Sequence, residues 1–204
     1  MDEQTIEAYE QLAEAIFSRH TRFDRATHHE RMLPWLRPGE PTADVGSGSG
    51  ADLAWLVSQG FPAVGYEPVA GLRQLAIATF PGIDVRASSL PDLEGVPAGA
   101  FGNVICSAVL MHLPVSSISP AIASLSRILR PGGRHLLSYR PGKDGAERED
   151  DGRLFTPIAP DLMNRFLSES ELRVVHQSAT ADPNRPGVIF ERFVAEKLQQ
   201  VPDV

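Results

Sequence analysis

The chain holds one cysteine, Cys106, among its 204 residues. A single thiol excludes an internal disulfide and a cysteine-built zinc cluster, and a reducing compartment fits. Positive charge is also in short supply. Lys and Arg total 19 against 26 Asp and Glu, a net charge of −7. That counts against broad contact with a phosphate backbone, because non-specific nucleic-acid binders are usually basic. The opening Met1-Asp2-Glu3-Gln4 lacks the basic-then-apolar layout of a signal peptide. The one long uncharged stretch, residues 95–126, is interrupted by Pro97, Pro114 and Pro120 and contains His112. A membrane helix wants about 20 mainly apolar residues, so no span is expected. Internal repeats and low-complexity tracts are missing too. These absences point to a soluble cytoplasmic protein with no membrane or nucleic-acid partner.

What is there reads as ordinary globular material. Hydrophobic residues make up 42% and charged residues 22%. At roughly 150 residues per domain the length corresponds to about 1.4 domains. One domain with an appendage is the expectation, and it can bury a core without covalent staples.

Ile6, Tyr9, Ala13, Ile16 and Phe17 recur at the spacing of one helix face. Residues 20–29 read as a loop with short helical pieces, followed by a short helix carrying Met32, Leu33, Trp35 and Leu36. From Pro41 the pattern alternates. Strands are expected near 42–45, 63–66, 83–86, 101–110 and 134–139. Helices are expected near 51–59, 72–79, 119–130 and 160–169. Ser119-Pro120 serves as the start of the third of these helices, with Ser as N-cap and Pro at the first helical position. The charged stretch 143–153 reads as a mobile loop. Strands near 173–178 and 188–196 have only a turn-rich segment between them, so they should pair antiparallel at one edge. Strand–helix alternation elsewhere predicts an α/β fold with a mainly parallel sheet.

The strongest signal is Asp44-Val45-Gly46-Ser47-Gly48-Ser49-Gly50, between a strand and a helix. Glycines let the backbone turn tightly and let a ligand approach it closely. The helix start behind them offers free amides and a positive dipole end. Glu67 follows Gly46 by 21 residues, at the end of the next strand. An acid there can accept from both hydroxyls of a ribose, beyond the carboxyl ends of the strands. Gly46, Gly48 and Ala51 also match the dinucleotide pattern G-x-G-x-x-A, which keeps an NAD(P)-dependent oxidoreductase open. Tyr139 and Lys143 have the spacing of a Tyr/Lys dehydrogenase pair. Pro141-Gly142 between them opposes the helix that such a pair needs.

Asp44-x-Gly46-x-Gly48-x-Gly50 resembles the first motif of class I S-adenosylmethionine-dependent methyltransferases. Glu67 is similar to the ribose-binding acid of their second motif. Ser88-Ser89-Leu90-Pro91, Val109-Leu110-Met111-His112-Leu113 and Leu129-Arg130-Pro131-Gly132-Gly133 resemble later family segments, in the family's order. The resemblance runs over residues 41–197. It implies a Rossmann-like fold, a seven-stranded, mainly parallel sheet with an antiparallel last strand, and S-adenosyl-L-methionine as cofactor. It implies that residues 1–40 form a helical lid and 41–204 the cofactor-binding domain. Gly46, Ser47, Gly48 and Gly50 would approach the methionine part, and Asp44 would orient the loop and the ammonium. Glu67, with Pro68, would hold the ribose, and Ser88, Ser89 and Leu90 would flank the adenine. Ser107 and Tyr9 complete the expected set. Two family features are missing: an acid near residues 86–88, and one at Gly102.

His112 is the candidate general base, since an imidazole titrates near neutral pH; its other reading is a histidine bonded to a backbone carbonyl at the pocket edge. Tyr9 reads either as part of the lid or as a core aromatic. Tyr139 and Arg140, closing the fifth strand, could bind an acceptor or be structural. His28 and His29 read as exposed, with no metal role. Cys106 reads as a buried small hydrophobe. The expected function is methyl transfer to a small-molecule acceptor. A non-catalytic S-adenosylmethionine-binding module is the rival from another class.

Overall fold

A computed structural model describes residues 1–142, 147–182 and 186–199. Three helices open the chain: α1 (Glu3–Gln11), α2 (Ala13–Thr21) and α3 (Ala26–Met32), the last running into a 3-10 turn, Leu33–Trp35. The single helix expected across Ile6 to Phe17 is therefore two. Helix α1 ends at Leu12, outside helical geometry at φ −104°, ψ 11°. Its first turn is secured by Asp2, whose carboxylate accepts from the Thr5 N–H at 2.9 Å.

Seven strands form the main sheet: β1 (Thr42–Val45), β2 (Ala63–Tyr66), β3 (Asp84–Arg86), β4 (Phe101–Ser107), β5 (Leu129–Tyr139), β8 (Leu172–Ala181) and β9 (Ile189–Lys197). Their order is β3-β2-β1-β4-β5-β9-β8. Pairings from β3 to β5 are parallel. Strand β9 runs antiparallel to both neighbours. The expected edge pair is present, with the last strand inserted between β5 and β8. Helices α4 (Ala51–Ser58), α5 (Ala70–Thr79), α6 (Val115–Ile128) and α7 (Pro160–Glu169) connect them. The chain turns back between β1 and β4, so the carboxyl ends of these strands border a crevice.

Alternation along the strands feeds both faces. Val104, Cys106, Leu137 and Phe193 pack against α6 and α7 with Ile118, Ile122, Leu125 and Leu167. Fully burying one such aliphatic side chain contributes about 1.5–3 kcal/mol. Cys106 lies in this core, and burial pushes its thiol up, as its apolar neighbours implied. On the opposite face, Ile105, Leu136 and Val194 meet Leu56 of α4 and Met32 and Leu36 of the N-terminal segment.

Three expectations shift. Helix α6 begins at Val115, not at Ser119-Pro120, and Pro120 lies inside it. Pro120 is on the exposed face, and Ile118, Ala121, Ile122 and Leu125 are buried on the other. Packing of that apolar stripe outweighs one missing backbone bond. Strand β4 ends at Ser107, and Leu110–His112 form a 3-10 turn. The stretch read as a mobile loop includes strand β6 (Glu147–Arg148), which pairs with β7 (Leu154–Phe155). Residues 143–146 lie outside the described residues.

Candidate active site

The glycine loop is tied to the next strand before any ligand arrives. The amides of Gly46 and Ser47 both donate to the Tyr66 carbonyl, at 2.7 and 3.2 Å. Gly46 has φ +76°, and a Cβ there would stand 2.3 Å from Cγ2 of Val109. Only glycine fits that approach. The Glu67 carboxylate accepts from the Gly48 N–H at 2.8 Å and from the Val69 N–H at 3.0 Å. It thus links the loop to the start of α5. Burial raises its carboxyl despite those two donors. Arg73 donates to the carbonyls of Glu67 and Pro68, at 2.7 Å each.

Asp44 sits below the loop with Oδ2 buried and unpartnered. Burial first, then the nearby Asp52 carboxylate, push its carboxyl up to about 8. Asp52, on α4, is better provided for. Arg25 reaches its Oδ2 at 2.6 Å and His29 Nε2 its Oδ1 at 2.8 Å. Burial opposes ionisation, but the His29 bond and the charges around it hold this carboxyl well below the usual range. His29 also stacks on Trp55, with centroids 4.1 Å apart. His28 and His29 are therefore half-buried rather than exposed, because α3 docks onto α4 through Asp52. Among the described residues no group of three or more His, Cys, Asp or Glu is placed to hold a metal ion.

A second network surrounds His112. Its Nδ1 lies 2.7 Å from the Leu154 carbonyl, and its Nε2 lies 3.1 Å from the Tyr9 hydroxyl. A carbonyl can only accept, so the proton sits on Nδ1 and Nε2 accepts from Tyr9. Arg153 donates to the Tyr9 oxygen at 3.3 Å. Burial pushes His112 down to about 4 and raises the Tyr9 phenol. The carbonyl-bonded reading of His112 is thus present, with a free-base nitrogen on its other side. Glu149 bridges Arg140 and Arg153 at 2.7 and 2.6 Å. The Leu154 N–H donates to the Thr5 hydroxyl at 2.9 Å, which binds the hairpin to α1.

These groups surround a cavity of about 430 Å3 at the carboxyl ends of β1, β2 and β4. Of the residues read from sequence, Tyr9, Gly46, Ser47, Gly48, Glu67, Ser107 and His112 line it. Asp44, Gly50, Pro68, Ser88, Ser89 and Leu90 are not among its lining residues. Gly50 has φ +73° and packs against Ala76. The Ser88 hydroxyl donates to the Glu94 carbonyl at 3.2 Å, and the Leu90 side chain is buried in the core. Tyr139 is likewise buried, whereas Arg140 lines the cavity. Sequence reasoning missed Arg25, Asp52, Arg153 and Arg192, which also line it. Asp52 alone carried a signal, as the acid in the first turn behind the glycine loop. The arginines come from distant segments with no motif of their own.

A doubly wound sheet with a glycine loop, a strand-end acid and a nucleotide-sized cavity defines a cofactor-binding enzyme of the Rossmann-like class. A family model described as a methyltransferase domain matches residues 17–198. The chain belongs to this methyltransferase family. Similar solved structures share the fold. A S-adenosylmethionine-dependent methyltransferase from Methanosarcina mazei has a TM-score of 0.74 at 17% identity, with 83% of this chain and 98% of that one covered. The 1,6-didemethyltoxoflavin-N1-methyltransferase of Burkholderia thailandensis, solved with its acceptor and S-adenosylhomocysteine, has a TM-score of 0.72 at 18% identity, covering 95% and 88%. A S-adenosylmethionine-dependent methyltransferase from Mesorhizobium loti has a TM-score of 0.67 at 18% identity, covering 87% and 99%. No protein of curated function matches the chain by sequence. The family match favours methyl transfer over the nicotinamide reading. Among the described residues no helix is long and apolar enough to cross a membrane.

Proposed function

We propose that the chain methylates a small-molecule acceptor, with the cavity over β1, β2 and β4 holding cofactor and acceptor together. The observation that carries this reading is the Gly48–Glu67 bond. It places the amide-rich loop and the strand-end acid on one wall of the cavity, preorganised for a nucleoside-like ligand. The residues present fit S-adenosylmethionine. The buried Asp44 Oδ2 and Ser47 Oγ have no partner in the protein, and the space above Gly46 admits no side chain.

The bound cofactor supplies an electrophilic methyl group on a sulfonium. Asp44 would take the methionine ammonium, and Gly46, Ser47, Gly48 and Gly50 would shape the loop beneath it. Glu67, with Pro68, would hold the ribose with the carboxylate lone pairs left over from Gly48 and Val69. Ser88, Ser89 and Leu90 would border the adenine, and Ser107 would face the reacting end. Holding two reactants in line can supply much of the rate. Where the acceptor must lose a proton, Tyr9 takes it as its own proton passes to His112 Nε2. Residues 1–40 act as a lid, held shut by the contacts of Thr5 and Tyr9 with the hairpin and His112. The acidic net charge and the small-molecule acceptor of the Burkholderia thailandensis neighbour support a small acceptor over a nucleic acid. The buried free thiol of Cys106 suits the cytoplasm.

Calorimetry with S-adenosylhomocysteine and with NADH tests the cofactor. Tight binding of NADH alone would overturn the reading. A screen of phenols, amines, thiols and carboxylates with methyl-labelled cofactor tests turnover. Cofactor binding without any labelled product would favour the non-catalytic module.

A further inference from the structure

Of the six arginines that line the cavity, three are paired with carboxylates. Arg25 meets Asp52, Arg140 meets Glu149, and Arg153 meets Glu149 and Asp151. Arg192 of β9 and Arg31 of α3 differ. Among the described residues neither has a carboxylate within ion-pair distance, and Arg192 is half-buried. Its hydrogen bonds go to neutral groups, the Thr180 hydroxyl at 2.7 Å and His28 Nδ1 at 3.2 Å. Burial, then the charge of Arg31, lower its pKa; Asp182 and Asp52 act in the other direction. Both arginines thus line one recess of the cavity wall.

The recess opens into a second cavity of about 380 Å3, which shares His28, Arg31, Ser107, Ser138 and Arg192 with the first. The sheet register explains the space. Ser107 pairs with Ser138, Ser138 with Arg192, and Arg192 with Ser178. Residues opposite one another in a ladder share a face, so three short hydroxyl side chains flank one long cation. Beyond them Met32, Trp35, Leu136 and Val194 supply an apolar stretch of wall, and Glu30 and His176 also line the cavity.

We propose that the acceptor carries an anionic group, a carboxylate or a phosphate, which Arg192 and Arg31 hold while its apolar body enters this second cavity. The proposal rests on the small-molecule reading above and specifies the acceptor's chemical class. Guanidinium groups match both anions through paired N–H donors, and such charge-assisted bonds are the strong ones.

The test uses the full chain saturated with S-adenosylhomocysteine, titrated calorimetrically with benzoate, phenyl phosphate and neutral benzamide. The expected result is binding of at least one anion about tenfold or more tighter than the amide. The comparison of benzoate with phenyl phosphate separates carboxylate from phosphate. Arg192→Gln and, separately, the exposed Arg31→Gln should remove the preference, and Arg192→Lys should restore part of it. S-adenosylhomocysteine affinity should be unchanged in all three variants. Equal binding of anion and amide, no anion binding at millimolar concentration, or an unaffected Arg31→Gln and Arg192→Gln pair would overturn the proposal. Loss of S-adenosylhomocysteine binding in these variants would overturn it too, by giving the arginines to the cofactor. A wild-type chain that fails to bind S-adenosylhomocysteine would instead bring down the cofactor reading beneath it.

Discussion

Asp44→Asn should stabilise the ligand-free protein and weaken its hold on the cofactor. The Asp44 carboxyl is pushed from its ordinary 3.8 up to about 8, by burial first and by Asp52 second. A folded-state value above the unfolded one means the native state binds the extra proton. Stability attributable to Asp44 is therefore present at low pH and is lost as pH rises from about 4 to about 8. The lower part of that window is crowded. Burial lowers His28, His112 and His135 from 6.5 to about 4, and neutral buried histidines lose stability as pH falls through the same range. Above pH 6.5 Asp44 acts without them. From there to pH 8 each unit is worth about 1.4 kcal/mol, so wild type should lose about 2 kcal/mol relative to Asp44→Asn. Urea denaturation of both proteins at several pH values between 6.5 and 8.5, without ligand, measures this. S-adenosylhomocysteine should then stabilise wild type more than the variant, because its ammonium meets a carboxylate only in wild type. Parallel stability profiles for the two proteins would refute the buried, unpaired carboxyl. Equal ligand stabilisation would remove Asp44 from the ammonium site.

Gly46→Ala adds a Cβ at φ +76° and 2.3 Å from Val109; backbone strain and overpacking together should cost about 2–5 kcal/mol, read by thermal unfolding. An unchanged transition would mean that the loop relaxes freely. His112→Asn should slow turnover about a hundredfold or more if His112 receives the proton that Tyr9 passes on. In wild type the rising limb of kcat/KM should then fall near pH 4 and not near 6.5; a limb at 6.5 would show an ordinary exposed histidine. Asp52→Asn should detach α3 at a cost of about 1–3 kcal/mol, since it strands Arg25 and His29 in partly buried positions. Proteolysis between α2 and α4 should accelerate; unaltered protection would show that apolar packing of Met32 and Leu36 holds α3 alone.

Much of the fold was legible because its signals are local. Three glycines between an apolar strand and a helix need only the chain's own geometry, and Glu67 needs only one strand and one helix of spacing. Helix boundaries failed where packing overrode local preference. Pro120 marks a helix start by itself, yet the buried stripe of Ile118, Ile122 and Leu125 extends α6 backwards to Val115. The charged stretch 143–153 looked like a loop because Asp2 and Tyr9, which meet its Arg148 and Arg153, lie far away in sequence.

By itself, then, the sequence determined the class: strand order grammar, the glycine loop, the acid at Glu67 and the cofactor they imply, all set by short-range sterics and hydrogen-bonding capacity. Only the tertiary structure decided the charge states and the acceptor wall. Burial makes Asp44 a reluctant acid and His112 a neutral base. Strand β9, threaded between β5 and β8, brings Arg192 opposite Ser138 and within reach of α3. Desolvation and cross-strand register depend on which distant segments meet, and no local pattern encodes that.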